Sequence, residues 1–288
     1  MPPTIVVGLG GSNPWYALAW ATEHAAAAGG ALVLCHACRD DSPLAAPRSG
    51  PPSMSLLEIA DPALARAVAQ TRMRLGGHRV TVRATPSPAS TLILDAARDA
   101  HLVVLGPPSR TDLIGRIRTA HRVTAHSPVP VVVARRSGGR SHGPFAGHVV
   151  VGIDGSAASR AAVEFGFQEA VLHRRPVAAV HVTTERREDF WYDETLLESH
   201  FVAEPAGLDL LAQEIEPWAD KYPEVHVKRG VFAGHPIDGL LRAADGAALL
   251  VLGERVHRTP AQKLLGTVAD GAIDAADAPI AVVKEVRR

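Results

Sequence analysis

The chain repeats itself, and the length of the repeat settles more about its fold than any single motif. Ile5-Val6-Val7-Gly8-Leu9-Gly10-Gly11-Ser12 returns as Val149-Val150-Val151-Gly152-Ile153-Asp154-Gly155-Ser156. Leu32-Val33-Leu34-Cys35-His36-Ala37 returns, less one residue, as Ala178-Ala179-Val180-His181-Val182, and Val80-Thr81-Val82 as Val225-His226-Val227. Leu102-Val103-Val104-Leu105-Gly106 matches Leu249-Leu250-Val251-Leu252-Gly253, and Val129-Pro130-Val131-Val132-Val133 matches Ala278-Pro279-Ile280-Ala281-Val282-Val283. Five segments in one order, about 145 residues apart, mean a duplicated domain, since solenoid repeats are far shorter.

The repeated strands are unbroken apolar runs, the pattern produced when both faces of a parallel sheet are covered. Helical stretches separate them: Trp15 to Ala28 and Ser159 to Leu172, Pro62 to Leu75 and Gly207 to Lys221, Ser90 to Asp99 and Ile237 to Ala244, and Leu264 to Ala276. The alternation of five strand segments with helices predicts an α/β fold of two tandem three-layer α/β/α domains, each with a five-stranded parallel sheet. Gly, Ser and Pro between Arg135 and Pro144 predict a linker, giving domains at 1–136 and 147–288 with 137–146 between them.

The formal charge is zero, with 30 Lys and Arg against 30 Asp and Glu, which gives no first reason to expect a nucleic-acid or membrane partner. The zero conceals two opposed halves. Residues 1–140 hold 15 Arg, no Lys and eight acids, a formal +7, leaving −7 for the rest. Two cysteines cannot build a disulfide framework, and no leader-like segment opens the chain. A cytoplasmic protein is expected. Cys35-His36-Ala37-Cys38 spells Cys-x-x-Cys, but at a strand end positions i and i+3 face opposite ways, so buried or edge thiols are expected in place of a redox pair. The 14 His show no zinc spacing.

In open parallel sheets ligands bind beyond the carboxyl ends of the strands, where strand order reverses. After the first strand of the second copy comes Gly152-Ile153-Asp154-Gly155-Ser156, entering a helix whose start favours an anion, with Asp154 able to accept from ribose hydroxyls. The bare motif also serves as an ordinary helix cap. After the fourth strand come Gly253-Glu254-Arg255-Val256 and Leu264-Leu265-Gly266-Thr267-Val268, which can offer backbone N–H groups to phosphate, although no Walker motif is present. The first copy begins a dinucleotide fingerprint at Gly8-Leu9-Gly10 but has Asn13 where the third Gly belongs.

On these residues, with the Gly234-His235-Pro236 turn and Leu240-Leu241-Arg242-Ala243-Ala244, both copies resemble universal stress protein domains, in the tandem form found in actinobacteria. The family's nucleotide-binding members carry Gly-x2-Gly-x9-Gly-Ser/Thr after the fourth strand. The resemblance implies the strand order 3-2-1-4-5 in each sheet, and ATP after the fourth strand, with Mg as a companion and its ribose near Asp154. Carried over, the second copy's site comprises Gly152, Ile153, Asp154, Ser156, His181, Val182, Gly253, Arg255, Val256, Gly266, Thr267 and Val268. Val256 stands where the motif has its middle Gly, which weakens binding by about a kcal/mol or more, because a β-branched residue resists positive φ and crowds the phosphate.

The first copy departs further. Gly10 replaces the Asp, Gly106 is followed by Pro107-Pro108-Ser109, and the last Gly-Ser has become residues around Ile117 to Ala120. Pro107 and Pro108 lack N–H groups, so this copy is not expected to bind ATP in the family manner. Arg110, Arg116, Arg118, His121 and Arg122 stand in its place, either as a polyanion site or as guanidiniums facing the acidic half or solvent. Segments 39–61 and 183–205 are candidate lids or partner surfaces, with Phe190, Trp191 and Tyr192 as a protein-docking anchor or as packing on a helix. The resemblance also implies pairing of the copies within the chain through Val129 to Ala134 and Ile280 to Lys284, and allows a homodimer besides. Function is then expected to be a nucleotide-responsive stress-regulatory protein; a ligand-free scaffold and a slow or adenylating ATP enzyme are the alternatives. No nucleophile–base pair and no Gly-x-Ser-x-Gly argue for turnover.

Overall fold

The computed structural model describes residues 2–10, 14–47, 49–108, 119–135, 143–184, 188–193, 207–254 and 266–285. The chain divides into two compact units, Met1–Ala134 and Arg135–Arg288.

In the first unit β1 (Thr4–Gly8), β2 (Ala31–Ala37), β3 (Val80–Thr85), β4 (Leu102–Leu105) and β5 (Val131–Val133) form a parallel sheet of order β3-β2-β1-β4-β5. The strands β1 and β4 lie at its centre, and Ile5, Val6, Val7, Val103 and Val104 are at most 1% exposed, which is why their apolar runs do not alternate. Crossovers are made by α1 (Pro14–Ala28), α2 (Met54–Ala60) with α3 (Pro62–Leu75), α4 (Ala89–Ala96) and α5 (Thr119–His126). Segment 39–61 is folded down at two points. Leu44, in a 3-10 turn capped by Ser42, and Leu57, on α2 capped by Ser53, are both buried. Asp61 then caps α3, accepting from the N–H groups of Ala63 and Leu64 at 3.1 and 3.0 Å.

The second unit repeats the plan with β6 (Val149–Gly152), β7 (Val177–Thr183), β9 (Val227–Ala233), β10 (Leu249–Glu254) and β11 (Ile280–Lys284), in the parallel order β9-β7-β6-β10-β11. Its crossovers are α6 (Ala157–His173), α7 (Leu208–Lys221), α8 (Pro236–Ala243) and α9 (Thr267–Ala275). Small residues set the helix-to-sheet distance. A Cβ on Gly166 of α6 would come within 2.5 Å of Val151 Cγ2, so only Gly lets this helix lie so close on β6.

Three sequence expectations differ from the structure. The second sheet has a sixth strand, β8 (Phe190–Asp193), antiparallel on β9 with Phe190 opposite Val231 and Asp193 opposite Lys228. Its aromatic residues suit a sheet edge, and it has no counterpart among the described residues of the first copy from which a repeat could reveal it. The third-strand match is displaced: registers fix Leu32 beside Val80 and Val177 beside Val227, so Val80 corresponds to Val227, two residues after Val225. A shift of two preserves the inward–outward alternation and so leaves the pattern unchanged. Finally, Phe145, within the stretch read as linker, is fully buried, its ring 6.0 Å from that of Phe232.

Candidate functional site

A cavity of about 380 Å³ opens at the carboxyl ends of β6 and β10, the point where strand order reverses in the second unit. Its floor is Gly152 and Ile153, one wall is Val180, His181 and Val182 at the end of β7, and the other is Leu252, Gly253 and Glu254 at the end of β10. Pro236 and Leu240 of α8 and Gly266, Val268 and Ala269 at the start of α9 complete it.

The turn after β6 is built from local hydrogen bonds. Asp154 accepts from the N–H of Ser156 at 2.9 Å, Gly155 takes φ +77°, and Ser156 Oγ accepts from the N–H of Ser159 at 3.1 Å to start α6. Ser156 is therefore a helix cap and does not line the cavity. The hydroxyl of Ser159, which does, donates to the Ser156 carbonyl at 3.0 Å. Asp154 is left exposed at the rim, and Arg160 ties the turn down by donating to the Gly155 carbonyl and to both oxygens of Glu214.

His181 Nδ1 lies 2.8 Å from the carbonyl oxygen of Ile153. A carbonyl can only accept, so Nδ1 carries the proton and donates, which fixes the ring across the floor of the site. The same contact recurs in the first copy, where His36 Nδ1 lies 3.2 Å from the Leu9 carbonyl.

At the β10 end the chain passes against α6 so closely that a Cβ on Gly253 would sit 2.3 Å from the carbonyl carbon and oxygen of Ala158. The next residue, Glu254, is 6% exposed, and its Oε1 accepts from the N–H of Gly266 at 2.9 Å, directly before α9. A carboxylate thus stands on the N-terminus of this helix, where free N–H groups and the helix dipole favour negative charge.

Gly152, Ile153, Asp154, His181, Val182, Gly253, Gly266 and Val268, all expected from sequence, come together here. Thr267 begins α9, and Arg255 and Val256 lie outside the described residues. Sequence reasoning missed Ser159, Leu240 and above all Glu254, whose signal is an acidic residue directly following a buried strand run.

In the first unit the corresponding cavity is about 160 Å³, lined by Gly8, Leu9, Gly10, Cys35 and the Gly106-Pro107-Pro108 turn among others. Burial pushes the Cys35 thiol up to about 12, against a weaker opposing pull from Arg83. Neither cysteine forms a disulfide. Arg110, Arg116 and Arg118 fall outside the described residues, while His121 and Arg122 lie on α5. Of the aromatic trio, Trp191 is 49% exposed yet stacks on Phe232 with ring centroids 6.1 Å apart. Among the described residues no helix is long and apolar enough to cross a membrane.

A family model described as Universal stress protein family matches residues 1–135 and 146–284. A universal stress protein of Mycobacterium tuberculosis is 27% identical over 222 residues, covering 76% of this chain and 73% of its own. One from Mycolicibacterium smegmatis is 32% identical over 201 residues, covering 69% and 66%. The crystal structure of a universal stress protein from Archaeoglobus fulgidus aligns with a TM-score of 0.63 at 14% identity, over 99% of this chain and 97% of that one, a likeness of fold. The chain belongs to the universal stress protein family and carries two of its domains in tandem.

Proposed function

We propose that the second unit binds an adenine nucleotide in the cavity between β6 and β10, and that the protein is a nucleotide-responsive stress-regulatory protein. The observation that carries this reading is the cavity itself, whose roughly 380 Å³ falls in the range of small-molecule sites and lies at the topological switch point. Its apolar lining of Ile153, Val182 and Leu240 suits a flat aromatic ring, and the exposed Asp154 at its rim suits ribose hydroxyls. ATP with Mg is the ligand the family resemblance singles out.

Binding is favoured over turnover. Among the described lining residues the Ser159 hydroxyl already donates to a backbone carbonyl, and the Nδ1 proton of His181 is committed to another. The first unit is read as non-binding, because its cavity is less than half the size and Pro107 and Pro108 bring no N–H to it.

Calorimetric titration of the full chain with adenosine, AMP and ATP tests the reading. One site per chain is expected, weakened at least fivefold in Asp154→Ala and abolished in Gly266→Glu, which fills the mouth of the cavity. Absence of any adenine ligand, or undiminished binding in both variants, refutes it.

A further inference from the structure

The same cavity contains a feature that a phosphate site should not have. Phosphate is ordinarily held at a helix start by backbone N–H groups, and here the N–H of Gly266, at the start of α9, already donates to Glu254 at 2.9 Å. The fit at that point is close: a Cβ on Gly266 would lie 2.9 Å from Glu254 Oε2. Glu254 is 6% exposed and lines the cavity, and its carboxylate sits against Gly266, another lining residue. Asp270 adds a second acid in the first turn of the same helix.

A phosphate that approaches the start of α9 has two courses. It can displace Glu254, which breaks the hydrogen bond of a buried carboxylate to the Gly266 N–H, or it can lie beside it and meet like charge in a partly dehydrated cleft. Either course taxes ligands in proportion to their phosphate charge and leaves the nucleoside part untouched. We infer that Glu254 is a specificity-determining residue, a resident anion on α9 that makes the second-unit cavity a nucleoside or low-charge nucleotide site and selects against triphosphates. The inference rests on the adenine-nucleotide reading of the cavity and narrows its ligand class.

The test is the affinity ratio of ATP to adenosine, measured calorimetrically on the full chain with and without Mg²⁺, for the wild type, Glu254→Gln and Glu254→Ala. Gln keeps an acceptor for the Gly266 N–H and removes the charge; Ala removes both, and circular dichroism checks that each variant is folded. In the wild type ATP should bind no more tightly than adenosine. The ratio should rise about threefold or more in Glu254→Gln and tenfold or more in Glu254→Ala, with adenosine affinity unchanged within twofold. A wild type that prefers ATP by more than tenfold overturns the inference. So does a ratio that stays within twofold of wild type in both variants, or that drops below the wild-type ratio in both variants when Mg²⁺ is present, which would make the carboxylate a metal ligand. If adenosine binds and only the ratio disobeys, the cavity reading survives; if no adenine compound binds any of the three proteins, both fall.

Discussion

Gly253 touches Ala158 backbone to backbone: a Cβ placed on Gly253 would lie 2.3 Å from the Ala158 carbonyl. The contact brings the end of β10 onto the first turn of α6 and thereby closes one corner of the cavity. Neither partner can yield by changing a rotamer, since both contacting groups are main chain. Gly253→Ala is therefore expected to cost about 3 kcal/mol, the upper end of the overpacking range. Gly10 in the first unit has nothing within 4 Å of its virtual Cβ, and Gly10→Ala should change stability by no more than about 0.5 kcal/mol. Urea denaturation of the two variants decides; equal effects would mean the close approach does not constrain the fold.

Phe145 is the second pressure point. It is fully buried, faces the ring of Phe232, and leaves so little room that a Cβ on Gly230 would sit 2.9 Å from its Cζ. Phe145→Ala should destabilise by about 3–5 kcal/mol, the range for a deleted core aromatic. A flexible-linker role for residue 145 would instead leave the denaturation midpoint where it was.

Phe145 also illustrates what the sequence conceals. Its neighbours Gly143 and Pro144 read as linker, and one aromatic among breakers carries no period to betray that it is core. The central strands were legible for the opposite reason: Ile5 to Val7 and Val149 to Val151 are buried on both faces, so their apolar runs are continuous and recur at the repeat distance. The register of β9 was not, because a two-residue slip leaves every residue on its original face. At the site, the small residues that make the floor were visible as a motif. Glu254 was visible only as a letter, since its role depends on a hydrogen bond to a residue twelve positions away in the chain, which no local pattern encodes.

The entry to β8 is held by Asp189, which accepts from the Ala233 N–H at 2.8 Å and from Arg242 Nε and Nη2 at 2.9 and 2.8 Å. The Arg242 hydrogen bond, helped by that N–H and opposed by partial burial, holds its carboxyl below the ordinary 3.8. A depressed folded pKa means stability that is complete above the unfolded value and is lost as pH falls through the folded one. Asp189→Asn should thus cost about 1–2 kcal/mol near neutral pH. That difference from wild type should shrink below about pH 4 as both proteins carry an uncharged group at position 189. Chemical denaturation of both proteins across this range is the check, and a gap that stays constant to pH 3 would show that the ion pair is not what the substitution removes.

Cys35 and Cys38 are close in sequence and chemically unlike. Cys35 is buried in β2, lines the smaller cavity, and has a thiol pushed up to about 12, so at pH 8 on the order of one thiol in ten thousand is ionised. Because the thiolate is the nucleophile, burial and protonation act together to silence it. Cys38 lies just past the end of the strand and is partly exposed. Treatment of the native protein with iodoacetamide at pH 8, followed by peptide mass spectrometry, should therefore label Cys38 well before Cys35, and labelling of Cys35 should follow the unfolding transition in urea. Rapid native labelling of Cys35, or a Cys35–Cys38 disulfide under mild oxidation, would restore the redox reading of the Cys-x-x-Cys pattern. Without either, the thiol serves the first unit as an apolar wall.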